Sequence, residues 1–294
     1  ATGCDSILSS STITVFHNPD AGFTVNPTAL CAPDTITVSD TSITGGILSY
    51  VWTTVNIPPA SNSVIFCPTC PTTDIEFDDN ISGLSYFYDI NLLITDTNTG
   101  CIDSATYNVE LFTRPISSFT IDSSSCGPDT IPTINNTLYA TSYSWSSTPS
   151  TNVQIINPTD FEPNIIFPEN TTNTAIVYTI TLIATTNNGC TDTTTELVTI
   201  YPTPLVSFNS SDTVGCGPLT INFTNASDPH NGEDTTTMIF SWYIDGVLQT
   251  GTTNFTNTFS NIPEDTICHT IVLIGETQHG CIDSSFMTIC VYPD

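Results

Sequence analysis

One phrase is written four times in this chain: Gly3-Cys4-Asp5-Ser6, Gly100-Cys101-Ile102-Asp103-Ser104, Gly189-Cys190-Thr191-Asp192-Thr193 and Gly280-Cys281-Ile282-Asp283-Ser284. Their cysteines lie 97, 89 and 91 residues apart. A period near 90 residues marks a tandem array of one domain, and it restricts the fold more than any local propensity does. Each copy is followed by a strand-like run that ends near a proline, and three are preceded by another such run. Each copy therefore reads as the tight turn of a β-hairpin.

The period divides the chain into residues 1–19, the closing hairpin of a preceding repeat, and three repeats at 20–114, 115–203 and 204–294. An earlier repeat is thus expected upstream. Each full repeat has an early cysteine followed by a proline two residues on, at Cys31-Ala32-Pro33, Cys126-Gly127-Pro128 and Cys216-Gly217-Pro218. Each also has a central aromatic run, Tyr50-Val51-Trp52, Tyr143-Ser144-Trp145 or Phe240-Ser241-Trp242. Alternation with period two places Tyr88, Ile90, Leu92 and Ile94 on one face, and Ile176, Tyr178, Ile180 and Leu182 likewise. About 90 residues of short alternating strands around one tryptophan predict an all-β, seven-stranded, immunoglobulin-like sandwich. The junctions are short and carry proline, at Asn18-Pro19, Arg114-Pro115 and Tyr201-Pro202-Thr203-Pro204. Proline ends a ladder and fixes φ, so the domains are expected to form an extended rod.

Charge excludes several function classes. There is no lysine and one arginine, Arg114, against 29 acidic residues, for a formal net charge of −28. A cationic footprint for nucleic acid or anionic lipid is absent. No apolar run of about 20 residues is present to insert in a membrane. There is no HExxH, GxSxG, P-loop or dinucleotide fingerprint, and no enzyme activity is expected. The histidines, His17, His230, His269 and His279, read as surface residues.

Eleven cysteines in such a chain point to an oxidising compartment. The repeated order suggests pairing the early cysteine with the hairpin cysteine of the same repeat: Cys31 with Cys101, Cys126 with Cys190, and Cys216 with Cys281. Cys268 and Cys290 are placed symmetrically about the last turn and are expected to pair across that hairpin. Cys67 and Cys70 can close a local loop, with half a zinc site or a redox motif as the alternatives. Cys4 is left unpaired in this segment. Asp103, Asp192 and Asp283 read as turn residues that bond their own local backbone. Asp228-Pro229-His230-Asn231-Gly232-Glu233-Asp234 is the stretch closest to a calcium loop, through Asp228, Glu233 and Asp234, although it lacks EF-hand spacing. An ordinary acidic loop is the other reading, and no other cofactor is expected.

With these motifs in hand, each repeat resembles the polycystic-kidney-disease (PKD) type domain. The likeness is to the Cys-Gly-Pro…Trp…Gly-Cys variety of surface proteins in gliding, Bacteroidota-type bacteria. It rests on Cys126-Gly127-Pro128, Trp145 and Gly189-Cys190, and on Cys216-Gly217-Pro218, Trp242 and Gly280-Cys281. The first repeat departs with Ala32. Trp242-Tyr243-Ile244-Asp245-Gly246 retains part of the family's loop after the tryptophan, and the other two repeats do not. The resemblance implies an extracellular, cell-surface location and a stalk segment of a large secreted adhesin, some of which serve gliding and leave by the type IX route. External surfaces or glycans would then be met by regions outside this segment, and the neighbours of these repeats would be further repeats. It also implies O-glycosylation at Asp-Ser/Thr motifs, here Ser6, Thr35, Ser104, Thr130, Thr193, Thr213, Thr235 and Thr266. The alternatives are a carbohydrate- or protein-binding module array of a secreted enzyme, or the subunit of a self-assembling surface filament.

Overall fold

The structure is a computed structural model. It describes residues 15–57, 62–230, 237–249, 253–260 and 265–293. Among these residues there is no α-helix, and every regular element of four residues or more is a strand. Backbone contacts group the chain into two compact units. One is Ala1–Ile116 with Leu138–Thr141 and Ala184–Asp192. The other is Ser117–Thr137, Ser142–Ile183 and Thr193–Asp294. The hairpin tip of the middle repeat therefore groups with the first repeat.

In the first unit two four-stranded sheets enclose one core. One sheet runs Phe23–Asn26, Asp34–Asp40, Thr72–Phe77, Ser63–Ile65 in spatial order, and the other Ala29–Cys31, Ile102–Phe112, Tyr86–Asp96, Leu48–Ile57. Alternate residues of each strand point inward. Ile36, Val38, Ile75 and Phe77 from the first sheet are fully buried against Tyr88, Ile90, Leu92, Ile94, Val109 and Leu111 of the second. The opening strand is broken at Pro27. Its first half pairs antiparallel with Asp34–Asp40, while its second half crosses to the other sheet and runs parallel to the last strand. Proline cannot donate to a ladder, so the break sits where a sheet change costs no hydrogen bond. Counting this broken strand once gives seven strands, an immunoglobulin-like sandwich.

The second unit contains two further cores. One gathers Phe119, Ile131, Trp145, Ile165, Phe167, Tyr178, Ile180, Leu182, Val198 and Ile200. The other gathers Val206, Phe208, Ile221, Phe223, Trp242, Phe259, Ile271, Leu273, Ile289 and Val291. The same broken opening strand recurs. Ser124–Cys126 runs parallel to Thr191–Tyr201, and Val214–Cys216 parallel to Ile282–Tyr292.

Trp52 and Trp145 are anchored alike. Each backbone N–H donates to a proline carbonyl, Pro68 at 2.9 Å and Pro158 at 2.8 Å. Each indole N–H donates two residues further on, to the carbonyl of Cys70 at 2.8 Å and of Asp160 at 3.0 Å. Cys67-Pro68-Thr69-Cys70 and Asn157-Pro158-Thr159-Asp160 are thus one loop built twice. Both are closed by a bond from the fourth residue's N–H to the first residue's carbonyl, at 3.2 and 2.9 Å. Only the first copy adds a disulfide, Cys67–Cys70. A burial partner for tryptophan accounts for this CxxC without redox or zinc chemistry.

A second repeated device is a buried asparagine. The Asn80 side-chain amide donates to the carbonyls of Leu84 (2.8 Å) and Leu111 (3.1 Å), and Asn170 donates to those of Thr174 (2.9 Å) and Ile200 (2.8 Å). Each ties the corner before the penultimate strand to the end of the last one. Asn80 is fully buried, so Asn80→Ala would remove the donor to the Leu111 carbonyl in a buried setting and untie the Leu84 corner. We expect it to lower stability by about 2–4 kcal/mol, read as a lower urea midpoint at unchanged slope.

Candidate functional site: the stapled junctions between repeats

The hairpin turn carries a left-handed glycine before its cysteine in all three full repeats, the first turn being one residue longer than the other two. Gly100, Gly189 and Gly280 have φ of 74°, 83° and 79°. Space does not demand glycine there, since an added Cβ would meet nothing within 4 Å. The left-handed backbone does. The residue closing the turn donates its N–H to the cysteine carbonyl at 2.9 Å each time: Asp96 to Cys101, Thr186 to Cys190 and Thr277 to Cys281. The aspartate just after the turn then reaches far along the chain. Asp103 accepts the N–H of Ala21 and Asp283 that of Val206, both at 2.8 Å. These two side chains hold down the start of their own repeat and do not bond their local turn backbone, which corrects the turn reading. The hairpin tip therefore lies at the end of the sandwich where the chain enters the repeat.

The early cysteine lies at the other end. Cys31 is opposite Phe112 in the parallel ladder, Cys126 opposite Tyr201, and Cys216 opposite Tyr292. These aromatic residues are the last of their strands. The hairpin cysteine precedes the first residue of the same strand, eleven residues earlier. Eleven residues of strand span about 35 Å, and a disulfide needs Cα atoms within about 7 Å. Pairing within a repeat is excluded by that length. The expected bonds Cys31–Cys101, Cys126–Cys190 and Cys216–Cys281 are therefore replaced. Cys31 is bonded to Cys190 and Cys126 to Cys281, with Cα atoms 5.4 Å apart in both. The early cysteine of one repeat takes the hairpin cysteine of the next. Cys101 and Cys216 carry free thiols, the first half-buried and the second exposed. Cys268 and Cys290 sit directly opposite across the last hairpin and are bonded.

Polar and aromatic groups surround each staple. In the first unit the chain's one cation, Arg114, sits in the junction and bridges two carboxylates. It donates from Nε to Asp79 at 3.2 Å, and its Nη1 lies 2.8 Å from Asp192, two residues past Cys190. The hydrogen bond to Asp79 raises the guanidinium pKa above its ordinary value. Arg114→Ala should cost about 1 kcal/mol at low salt and much less in molar salt, because the pair is partly exposed. Urea titrations at two ionic strengths would read it. In the second unit Tyr201, beside Cys126, stacks on His279, two residues before Cys281, with centroids 3.7 Å apart and planes within 7°. Thr203 of the Pro202–Pro204 linker donates to the Gly127 carbonyl at 3.0 Å, and His230 Nδ1 lies 3.2 Å from the Thr203 carbonyl.

The remaining histidine with a defined partner is His269, whose Nδ1 is 2.6 Å from Asp245. That bond, opposed by partial burial, holds the Asp245 carboxyl below its usual range. A depressed carboxyl contributes stability above its ordinary titration range, and the contribution is lost as pH falls through the lowered value.

Other residues singled out in the sequence do not converge. Thr35, Ser104, Thr130, Thr193, Thr213 and Thr266 are all exposed and are spread over the three repeats. Asp228 pairs its backbone with Leu205 and accepts the N–H of His230 at 2.9 Å. Ser6, Cys4, Glu233, Asp234 and Thr235 lie outside the described residues. Among the described residues no three His, Cys, Asp or Glu side chains are grouped to hold a metal ion. The bridging role of Arg114 and the tying role of Asn80 and Asn170 were missed by sequence reasoning, although Arg114 was noted as the one cation and Asn80 as part of a weak acidic loop. The asparagines had a signal in their period, since Asn80-Ile81-Ser82 and Asn170-Thr171-Thr172 are 90 residues apart.

No family model and no curated protein matches the chain. Among solved structures the chain is similar to the I-band fragment I67-I69 from titin, at 10% identity over 95% of this chain and 100% of that one, with TM-score 0.48. It is also similar to the N-terminal eight Ig domains of Down Syndrome Cell Adhesion Molecule isoform 1.30.30, at 7% identity over 93% and 37% of the two chains, with TM-score 0.39. A third is human CDH23 EC21-23, at 11% identity over 94% and 100%, with TM-score 0.33.

Proposed function

We propose that this chain is a non-catalytic stalk segment of a secreted, cell-surface adhesin. In this reading the PKD-like repeats at 20–114, 115–203 and 204–294 act as spacers. The observation that carries the reading is the pair of disulfides Cys31–Cys190 and Cys126–Cys281. A spacer gains from them, because a covalent strap across each junction keeps one repeat seated on the next under load. Disulfides of this kind persist outside the cell, which supports an extracellular location. Calcium is not needed by the reading. Contact with a surface or glycan falls to regions outside this segment, and gliding and type IX export are extensions from the family resemblance alone. Glycans at the exposed Asp-Ser/Thr sites would fit such a surface, and peptide masses on the native protein would show them.

The alternative, a binding-module array, is separated by one experiment. The folded, oxidised chain is probed on a glycan array and against whole-cell surface protein. The stalk reading expects no saturable binding. Saturable micromolar binding by the isolated chain would transfer the function to the repeats themselves.

A further inference from the structure

We infer that Cys101 and Cys216 are the two open ends of a disulfide ladder. Cys216 takes the hairpin cysteine of a repeat of this same type placed after the third, and Cys101 takes the early cysteine of one placed before the first. The inference extends the stalk reading but stands on its own geometry.

Neither thiol is an isolated cysteine. Cys216 holds the place in its repeat that Cys31 and Cys126 hold in theirs. All three lie at the end of a three-residue strand, parallel to the last strand and opposite its final aromatic residue. The N–H of the next residue also bonds that aromatic's carbonyl in two of them, Ala32 to Phe112 at 3.4 Å and Gly217 to Tyr292 at 3.0 Å. Both cysteines with this setting and a following repeat are bonded to that repeat's hairpin. Cys101 holds the place of Cys190 and Cys281 in a turn with the same glycine conformation and the same 2.9 Å closing bond. Both hairpin cysteines with a preceding repeat are bonded to it and almost fully buried, whereas Cys101 is only half-buried. The two free thiols are those whose partner repeat is missing from the described residues. The occupant is therefore specified by continuity with the two existing junctions. The ladder advances one repeat per bond, so its length has no built-in limit.

Closing each rung is an oxidation. The Cys216 and hairpin-cysteine thiols give up two protons and two electrons and form one S–S bond. A small disulfide such as oxidised glutathione accepts them, its own S–S bond breaking to give two glutathione thiols.

The test fuses residues 1–294 directly to a second copy of residues 19–294. The join reads Tyr292-Pro293-Asp294-Pro19, matching the aromatic, two-residue and proline spacing of Tyr201-Pro202-Thr203-Pro204 and Phe112-Thr113-Arg114-Pro115. The fused chain is refolded in a glutathione buffer, alkylated, and mapped by mass spectrometry after digestion with pepsin in acid. The expected product links Cys216 of the first copy to Cys101 of the second, alongside both internal staples in each copy. Changing Cys101→Ser in the second copy alone should leave Cys216 of the first copy alkylated. The inference is overturned if Cys216 stays a thiol while the internal staples form, or if it bonds any other cysteine. Should the fused chain fail to form its internal staples, separate chains oxidised at high concentration give the same readout. Cys216 of one molecule on Cys101 of another supports the ladder, and Cys216–Cys216 dimers refute it. Failure here would leave the stalk reading standing, since that is tested by binding.

Discussion

Cut once at either junction, the oxidised chain should remain in one piece until it is reduced. A protease site placed between Thr113 and Arg114, or between Thr203 and Pro204, opens the backbone between consecutive repeats. Cys31–Cys190 crosses the first cut and Cys126–Cys281 the second, and each pair spans more than 150 residues of sequence. After complete cleavage a non-reducing gel should show one band at the uncut position, and reductant should release two fragments. Trypsin does not confuse the result, because the chain has no lysine and its one arginine precedes proline. Two fragments without reductant would mean that the bonds close within repeats. The effect is all-or-none, so partial stability changes caused by the inserted site do not blur it.

A Cys31→Ala, Cys190→Ala double variant should be markedly less stable than the parent, while Cys101→Ala should be nearly silent. The first removes a loop whose ends are 159 residues apart. The chain-entropy model assigns closure of such a loop about 5 kcal/mol, and measured disulfides commonly deliver about 2–4 kcal/mol. For a domain near 100 residues this is a fall in melting temperature of roughly 10 °C or more. Replacing both partners avoids leaving a stranded thiol that could attack one of the remaining disulfides. Cys101→Ala removes one half-buried, unbonded thiol, a change of about 0.5–1 kcal/mol at most. Thermal scans of the two variants in non-reducing buffer decide the matter. If Cys101→Ala is as damaging as the double variant, Cys101 is a bonding partner and the junction staples are wrong.

Local features were legible in the sequence because they follow from neighbours a few residues apart. The three described copies of the Gly-Cys phrase gave away their turns, since a left-handed glycine is a requirement of the backbone at that point. Alternation assigned Tyr88, Ile90, Leu92 and Ile94 to the interior, where they are fully buried. The tryptophans are buried as the repeated aromatic run implied. What alternation cannot report is which end of a distant strand a segment lies beside. The placement of Cys31 opposite Phe112 depends on a parallel pairing across about 80 residues, entered only because the opening strand breaks at Pro27. Without that register, the nearest symmetric pairing was within the repeat, and it was wrong by the length of a strand. The same limit hid the reach of Asp103 to Ala21 and of Arg114 to Asp192. The loop under Trp52 was readable in principle. Cys67-Pro68-Thr69-Cys70 and Asn157-Pro158-Thr159-Asp160 share their central Pro-Thr at the same place in the repeat, which argues for a structural turn more directly than any prior on CxxC motifs.

The most direct measurement is a disulfide map of the native chain, alkylated before unfolding and digested with pepsin in acid to prevent exchange. For residues 1–294 produced alone, without flanking repeats, the stapled-junction account predicts peptides joining Cys31 to Cys190 and Cys126 to Cys281, with Cys101 and Cys216 alkylated. Peptides joining Cys31 to Cys101, Cys126 to Cys190 and Cys216 to Cys281 would contradict it, and would return the repeats to independent domains joined only by their linkers.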